Sequence, residues 1–520
     1  MAATIVPLLT TVHDCDAVSD WTGSPTLDTE VFIQGTGSLS MKVSKTTSTH
    51  MKSIAADLSD TIIYVWILGG SIAQFDTKDN GGIRIRVEEG ATPNWGEWYV
   101  AGKDEGYEGG WQCLAVRTTQ AFTAQSSPAP DKTQINAVGV VFKVLASAAK
   151  INCWWDAVRY GTGLRIKGGT EAEPGTFADV VTAEETAANR WGIVIESEGV
   201  LMVQGKLRFG STTAGESTYF KDTSKIVVFR DRPFGTFYDI VIEGNSSGTT
   251  KVFFGDKPGD AGISGCIFKP AGASKPKLTA ADTNITSLGL YGCSFIDMDT
   301  VSLPAYSTSK EVLNCNFEAC AEVLADTCIV KNCNFILADD RGVRIASTSH
   351  NVTYCNFISC GHCVHINLSD TISFNYLKFS GSNGTDKYDI EHSVAGTLTI
   401  NCTESNPNEN YVDETGGGST NIVNTVPLTV QGVKTGEEPT NYVRCRIETD
   451  PGKVEIMNKE ATISYNGYYK ATKDYNYPGS LTNVIVKARY KGYLPFETKG
   501  TITDKGLTVT AVWLEDPNFT

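Results

Sequence analysis

"EVLNCNFEACAEVLADTCIVKNCNF" (residues 311–335) holds four cysteines and two copies of one tetrapeptide. Set beside "GCIF" (265–268), "GCSF" (292–295), "YCNF" (354–357) and "YLKF" (376–379), it reveals a repeat. Cysteine, or Leu377 in its stead, stands at 266, 293, 315, 333, 355 and 377, and Phe follows two residues later each time. A period in the low twenties with short β-prone segments predicts a solenoid. Residues i and i+2 of a strand share a face. Stacked at about 4.8 Å, the repeats therefore place Cys266, Cys293, Cys315, Cys333 and Cys355 in one internal ladder, with the phenylalanines in another. Asn316, Asn334 and Asn356 line the outside. "AEVLAD", "RGVRIAS", "CVHINLS" and "YDIEHS" supply a further wall of each coil.

The thiols read as packing groups. Leucine can replace a small buried hydrophobe but not a metal ligand, and stacked Cβ vectors run parallel, which disfavours disulfides between neighbours. "SCGHCVH" (359–365) contains a Cys-x-x-Cys, but redox chemistry needs the first Cys at a helix N-terminus after a strand. Zinc at Cys360, Cys363, His362 and His365 lacks the usual two-plus-two spacing. A turn that buries small residues is the expectation.

The composition places limits on partners. In 520 residues there are 44 Lys and Arg against 59 Asp and Glu, a net charge of −15. That argues against nucleic acid as a partner, since phosphate binding draws on clustered cations. No run of 18 apolar residues predicts a membrane span. The first residues, "MAATIVPLLTTVHDCDAVSDW", lack a basic segment followed by an apolar core, so synthesis in a cytoplasm with reduced thiols is expected.

Residues 1–160 read as a β-sandwich of short alternating strands between Gly, Pro, Asn and Asp turns. Its "DAVSDW", "GTGSLSMKV" and closing "WDAVRYG" resemble jelly-roll carbohydrate-binding modules. That resemblance implies a structural calcium ion held by Asp16 and Asp156, with no other cofactor required; a turn residue and a solvated strand end are the plainer readings. Trp95, Trp98 and Trp111 are candidates to stack on sugar rings, or equally to fill the sandwich core. Residues 161–405 read as a right-handed parallel β-helix of about eleven coils, its first coils capped and carrying one short helix within "TFADVVTAEETAANR". Residues 406–424 read as a linker rich in Gly and Asn, and 425–520 as an Ig-like sandwich. The fold class is thus all-β, a parallel β-helix between a jelly roll and an Ig-like sandwich.

The run from "DAVRYGTGLRIKGGTEAEPGTFADVV" through "GISGCIFKP" and "LYGCSF" to "NVTYCNFISC" resembles structural proteins of tailed bacteriophages, of tail-fibre, tailspike or head-fibre type. The resemblance implies a virion component assembled in the host cytoplasm, commonly a homotrimer, with other virion proteins and host surface polysaccharide as partners. A tail-fibre or spike adhesin is expected, and capsid decoration is the alternative. A third reading is enzymatic. Glu318, the pair Asp339 and Asp340, and His362 follow the order of polygalacturonase-type glycoside hydrolases, in which carboxyls about 6.5–9.5 Å apart invert the anomeric centre. The chain departs from that pattern: Glu318 stands where the family has Asp, Cys363 replaces a glycine, and no Arg-x-Lys occurs near 390–400.

Overall fold

The computed structural model describes residues 3–103, 110–148, 150–186, 190–222, 225–230, 239–244, 250–255, 266–272, 275–280, 285–303, 310–325, 328–433, 443–463, 468–477, 481–490, 492–503, 505–514 and 516–518. The chain divides into two compact units, Met1–Lys310 and Glu311–Thr520. The division falls among residues expected to form the coil, and each sandwich belongs to the same unit as the coils beside it.

In the first unit, one sheet of the jelly roll runs in the order Ser48–Ala56, Ile135–Lys143, Gly82–Glu89, Asn94–Ala101, Ala124–Gln125. The facing sheet is organised on the 18-residue strand Ile151–Gly168, which pairs with Ala3–His13, Ser38–Val43 and Ile62–Gly69. Period-2 alternation turns Ile85, Val87, Trp98, Val140 and Phe142 inward to meet Leu39, Ile63, Val65 and Trp155. The far end of Ile151–Gly168 leaves the sandwich and becomes the first rung of the coil, aligning Leu164 with Leu207 and Ile166 with Phe209 in parallel. Below it, Leu207, Ile240, Leu278 and Val301 continue one buried column.

The one α-helix among the described residues, α1 (Phe177–Glu185), begins at a capping box between Thr176 and Asp179. It turns Phe177, Val180 and Val181 inward, and the Phe177 ring meets Phe220 edge-on at 4.8 Å. A terminal coil would otherwise present its apolar interior to water, and α1 covers it.

In the second unit the coil has three walls. Wall 1 comprises Glu322–Leu324, Arg341–Ile345, His362–Ile366, Tyr388–His392 and Val412–Asp413. Wall 2 comprises Asn316–Glu318, Asn334–Ile336, Asn356–Ile358 and Lys378–Ser380. Wall 3 runs from Ile329–Lys331 through Asn351–Thr353, Thr371–Asn375 and Thr397–Thr403 to Ser419–Val433. Phe317, Phe335, Phe357 and Phe379 stack in register, centroids 5.1, 4.9 and 5.1 Å apart. Outside the same wall, Asn334 Nδ2 donates to Asn316 Oδ1 at 2.7 Å and Asn356 Nδ2 to Asn334 Oδ1 at 2.8 Å.

The repeating cysteine sits at a corner. Asn314, Asn332, Tyr354 and Tyr376 take left-handed φ values of 55–58°, and the next residue, Cys315, Cys333, Cys355 or Leu377, is fully buried inside the bend. Asn reaches that conformation at low cost. The following corner repeats the device: Ala319, Leu337, Ser359 and Gly381 are left-handed, and Cys320, Ala338 and Cys360 lie buried behind the first three.

Residues 406–424, expected as a linker, are built into the coil. Val412–Asp413 adds to wall 1 beside Tyr388–His392, and Ser419–Val433 adds to wall 3 beside Thr397–Thr403. The Gly- and Asn-rich composition that suggests a linker serves tight corners between short rungs. The 15-residue strand Ser419–Val433 then passes into the Ig-like sandwich, pairing with Tyr468–Asn476 and Leu507–Val512. Val430, Ile447, Met457, Val484 and Val486 are among that sandwich's buried residues.

Candidate functional site

Val343, Val364 and Ile390 point inside wall 1, so alternation turns Arg344, His365 and Glu391 to its other face, while Arg341, His362 and Tyr388 open their rungs beside the corner. Arg341 and Glu391 form a bidentate pair, Nε to Oε2 at 2.5 Å and Nη2 to Oε1 at 2.8 Å. His362 Nε2 lies 3.0 Å from Asp413 Oδ2, and its Nδ1 lies 3.9 Å from Glu391 and 4.0 Å from Asp340. Tyr388 stacks on the His362 ring, centroids 5.2 Å apart. His365 bonds Glu322 at 2.7 Å through Nδ1 and Ser393 at 2.9 Å through Nε2. Burial pushes the Glu391 carboxyl up, but its hydrogen bond from Arg341 and the nearby His365 charge outweigh this and leave it below the usual range.

Of the expected acid set, the structure brings Asp340 and His362 together. Glu318 lies elsewhere, on the outer column of wall 2 with Ile336 and Ile358. Asp339 is an exposed corner residue whose N–H donates to the Cys320 carbonyl. Glu391 and Asp413, which the sequence reading passed over, are the carboxylates beside the histidine. The signal was present in "CVHINLS" and "YDIEHS", whose alignment sets His365 against Glu391.

A second site lies where wall 2 stops. Walls 1 and 3 gain a further rung from 412–413 and 419–433, but wall 2 ends at Lys378–Ser380. A cleft of about 440 Å³ fills the place of its next rung. Asn406 closes the open strand edge by accepting from Phe379 N at 2.9 Å and donating to Phe379 O at 3.2 Å. Asp389, 2% exposed, accepts from Ser382 Oγ at 2.5 Å and from Asn408 N at 2.8 Å. Burial pushes its carboxyl up to about 6 against the pull of these two donors. Tyr411, Tyr477 and Phe379 supply aromatic surface. Asp389 is the one carboxylic acid among the described lining residues, and no lysine or arginine lines the cleft there. Composition hides this site, because 406–411 reads as linker.

In the jelly roll the three tryptophans part ways. Trp98 is 2% exposed in the core, against Phe122 and bonded through Nε1 to the Gln120 carbonyl. No sugar reaches it, and the stacking expectation fails there because its position on the strand faces inward. Trp95 is half-buried with the Arg86 guanidinium 4.7 Å from its ring centre, and Trp111 is half-buried.

Asp16 and Asp156 both bind the 33–37 loop. Asp16 Oδ1 accepts from Thr36 N at 2.6 Å and Gly37 N at 2.9 Å. Asp156 Oδ2 accepts from Ile33 N at 3.0 Å and Gln34 N at 3.2 Å. Asp156 is fully buried, not a solvated strand end, and its Oδ1 has no hydrogen-bond partner. Burial pushes the Asp156 carboxyl up to about 7; the loop N–H groups pull the other way and the Asp16 charge adds to the rise. Asp16 is the second carboxylate at this loop, and among the described residues no group of three or more His, Cys, Asp or Glu gathers there to hold a metal ion.

All fourteen cysteines are buried free thiols. Cys360 and Cys363 are wholly buried, in a corner and in wall 1, while His362 and His365 are engaged by Asp413 and Glu322. Burial pushes the Cys402 thiol up to about 12, away from thiolate chemistry.

No protein-family model matches this chain, and no curated protein matches it. Among solved structures, it is similar to the catalytic domain of Agl-KA, at 9% identity and a TM-score of 0.21 over 81% of this chain and 98% of that one. It is similar also to the catalytic domain of a GH87 α-1,3-glucanase in complex with nigerose, at 9% identity and a TM-score of 0.20 over 81% and 87%. The family 11 carbohydrate-binding module of Clostridium thermocellum matches 30% of this chain over 95% of its own length, at 8% identity and a TM-score of 0.21. The chain spans 26% of the length of the MgGH51 α-L-arabinofuranosidase that it also matches. Likenesses at these scores carry no argument about what this chain binds.

Proposed function

We propose that this chain is a non-catalytic structural protein of a tailed-bacteriophage particle, a tail-fibre or tailspike-type adhesin that holds host surface polysaccharide. The carrying observation is that each sandwich shares an unbroken strand with its neighbouring coils, Ile151–Gly168 in one unit and Ser419–Val433 in the other. A sandwich joined in this way has no hinge, so a load taken at a contact surface passes straight into the coil. The sequence resemblance supplies the virion context, with other virion proteins as partners and a homotrimer as the assembled form. A Ca²⁺ ion held by Asp16 and Asp156 would pin the 33–37 loop in place.

Hydrolysis is the weaker reading. Two carboxyls must flank a glycosidic bond, one of them protonated. On wall 1, Arg341 holds Glu391 in its charged form; in the cleft, Asp389 has no second acid among the described lining residues.

Quantitative mass spectrometry of purified particles tests the assignment. A few trimers per particle, labelled at the tail, support it. Hundreds of copies on the head mean capsid decoration instead. New reducing ends on incubation with host polysaccharide would overturn the non-catalytic part.

A further inference from the structure

The unfinished wall combines several features of a binding site among the described residues. Among the described residues of the second unit's coil the inner columns are mainly apolar, the buried His392 in line with Ile345 and Ile366 being a polar exception. Here a buried carboxylate, Asp389, stands beside a space of about 440 Å³, inside the range of small-molecule sites, about 300–1,000 Å³. Its two oxygens each accept one protein hydrogen bond, leaving lone pairs unused, since a carboxylate can accept about four. The Asn408 side-chain oxygen accepts from Asn410, and its amide N–H₂ has no partner among the described residues, nor has the Tyr411 hydroxyl. Acceptor, donor and hydroxyl thus lie in one cleft with three aromatic rings.

We propose that this cleft binds one or two rings of a neutral polysaccharide, adjacent ring hydroxyls bridging Asp389 and the Asn408 amide while Tyr411 and Tyr477 cover the apolar ring face. A vicinal diol matches this pattern because each hydroxyl both donates and accepts. One hydroxyl donates to Asp389 and its neighbour accepts from Asn408. Aromatic faces favour the C–H side of a sugar ring for the same reason that they favour apolar groups. Charge selects further. With an acid in the cleft and no cation lining it, a uronate or sialylated chain would meet repulsion that is not compensated. An extended peptide is the other occupant a missing β-rung could take. The strand edge that it would need is already closed, because Asn406 occupies both the N–H and the carbonyl of Phe379.

This inference rests on the glycan-holding reading and names where and what it holds. Calorimetric titration of the full chain with neutral gluco- and galacto-tetrasaccharides, and with tetragalacturonate, tests it. The expected result is saturable binding of a neutral tetrasaccharide, weakened at least tenfold by Asn408→Ala and by Tyr411→Ala, with tetragalacturonate bound at least tenfold more weakly. Asp389→Asn keeps the shape of the side chain and is expected to weaken binding several-fold; unchanged melting of all three variants confirms that they fold. If neutral sugar binds equally well to these variants but is lost on Trp95→Ala or Trp111→Ala, the adhesin reading stands and the cleft assignment falls. Should neither the tetrasaccharides nor whole host polysaccharide bind, both fall. Preferential binding of tetragalacturonate, or of extended peptides, overturns the assignment.

Discussion

Phe335 and Phe357 stand 22 residues apart in sequence, yet their rings stack 4.9 Å apart with planes 11° from parallel, one coil above the next. Each ring is 1% exposed or less and has a further phenylalanine on its other face. A cavity made there cannot collapse, because the rungs on either side are fixed by parallel pairing. Phe335→Ala should therefore cost about 3–5 kcal/mol, read as a lowered urea midpoint. Cys333→Ala, at the corner of the same coil, should cost about 1–2 kcal/mol and leave the melting temperature insensitive to zinc chelators. A chelator effect would mean that the thiols bind metal.

Arg341 and Glu391 should behave as a structural pair. Glu391 has a side chain only 4% exposed, so Arg341→Met strands a buried charge. The expected loss is about 2–4 kcal/mol, against less than about 0.5 kcal/mol for Glu318→Gln or Asp339→Ala at exposed sites. Denaturant melts of the three variants check the contrast. A large loss at Glu318 or Asp339 would mean that these carboxylates hold structural contacts and are not the exposed groups described above.

Calcium should raise the melting temperature of the full chain through Asp156. Its carboxyl is pushed up to about 7, and protons compete with the ion for it. The gain on adding calcium should therefore be small at pH 5 and grow as pH rises through about 7. Asp156→Asn should remove both the gain and its pH dependence. An equal gain at pH 5 and 8 would place the ion elsewhere.

Asp389 has its own signature. Its pKa is raised from 3.8 to about 6 in the folded chain. Between those values the native state binds the extra proton, so this group's contribution is fully present below about 4 and is lost as pH rises through about 6. Asp389→Asn removes the titration. The stability of the variant relative to the native chain should rise from pH 4.5 to 7.5 in paired thermal melts. A flat difference would mean that the carboxyl is solvated and that the cleft is shallower than described.

Much of this was legible in the residues. Cys and Phe two apart, repeated at a period near 22, specify a coil because each pair must share one buried face. Leu377 in the thiol column identifies size as the property selected. The left-handed corners were half legible: Gly292, Asn314 and Asn332 announce them, whereas Tyr354 and Tyr376 adopt the same conformation with no local propensity for it. The sequence alone thus determined the class of fold, the repeating core and its direction of packing, because those follow from local periodicity. Which carboxylate meets which cation was decided only by tertiary structure. Arg341 finds Glu391 fifty positions later because a parallel coil stacks residues by register, and register accumulates over corners whose lengths vary. The cleft is of the same kind. It exists because wall 2 ends one rung before its neighbours, and no single segment records the absence of a strand beside it.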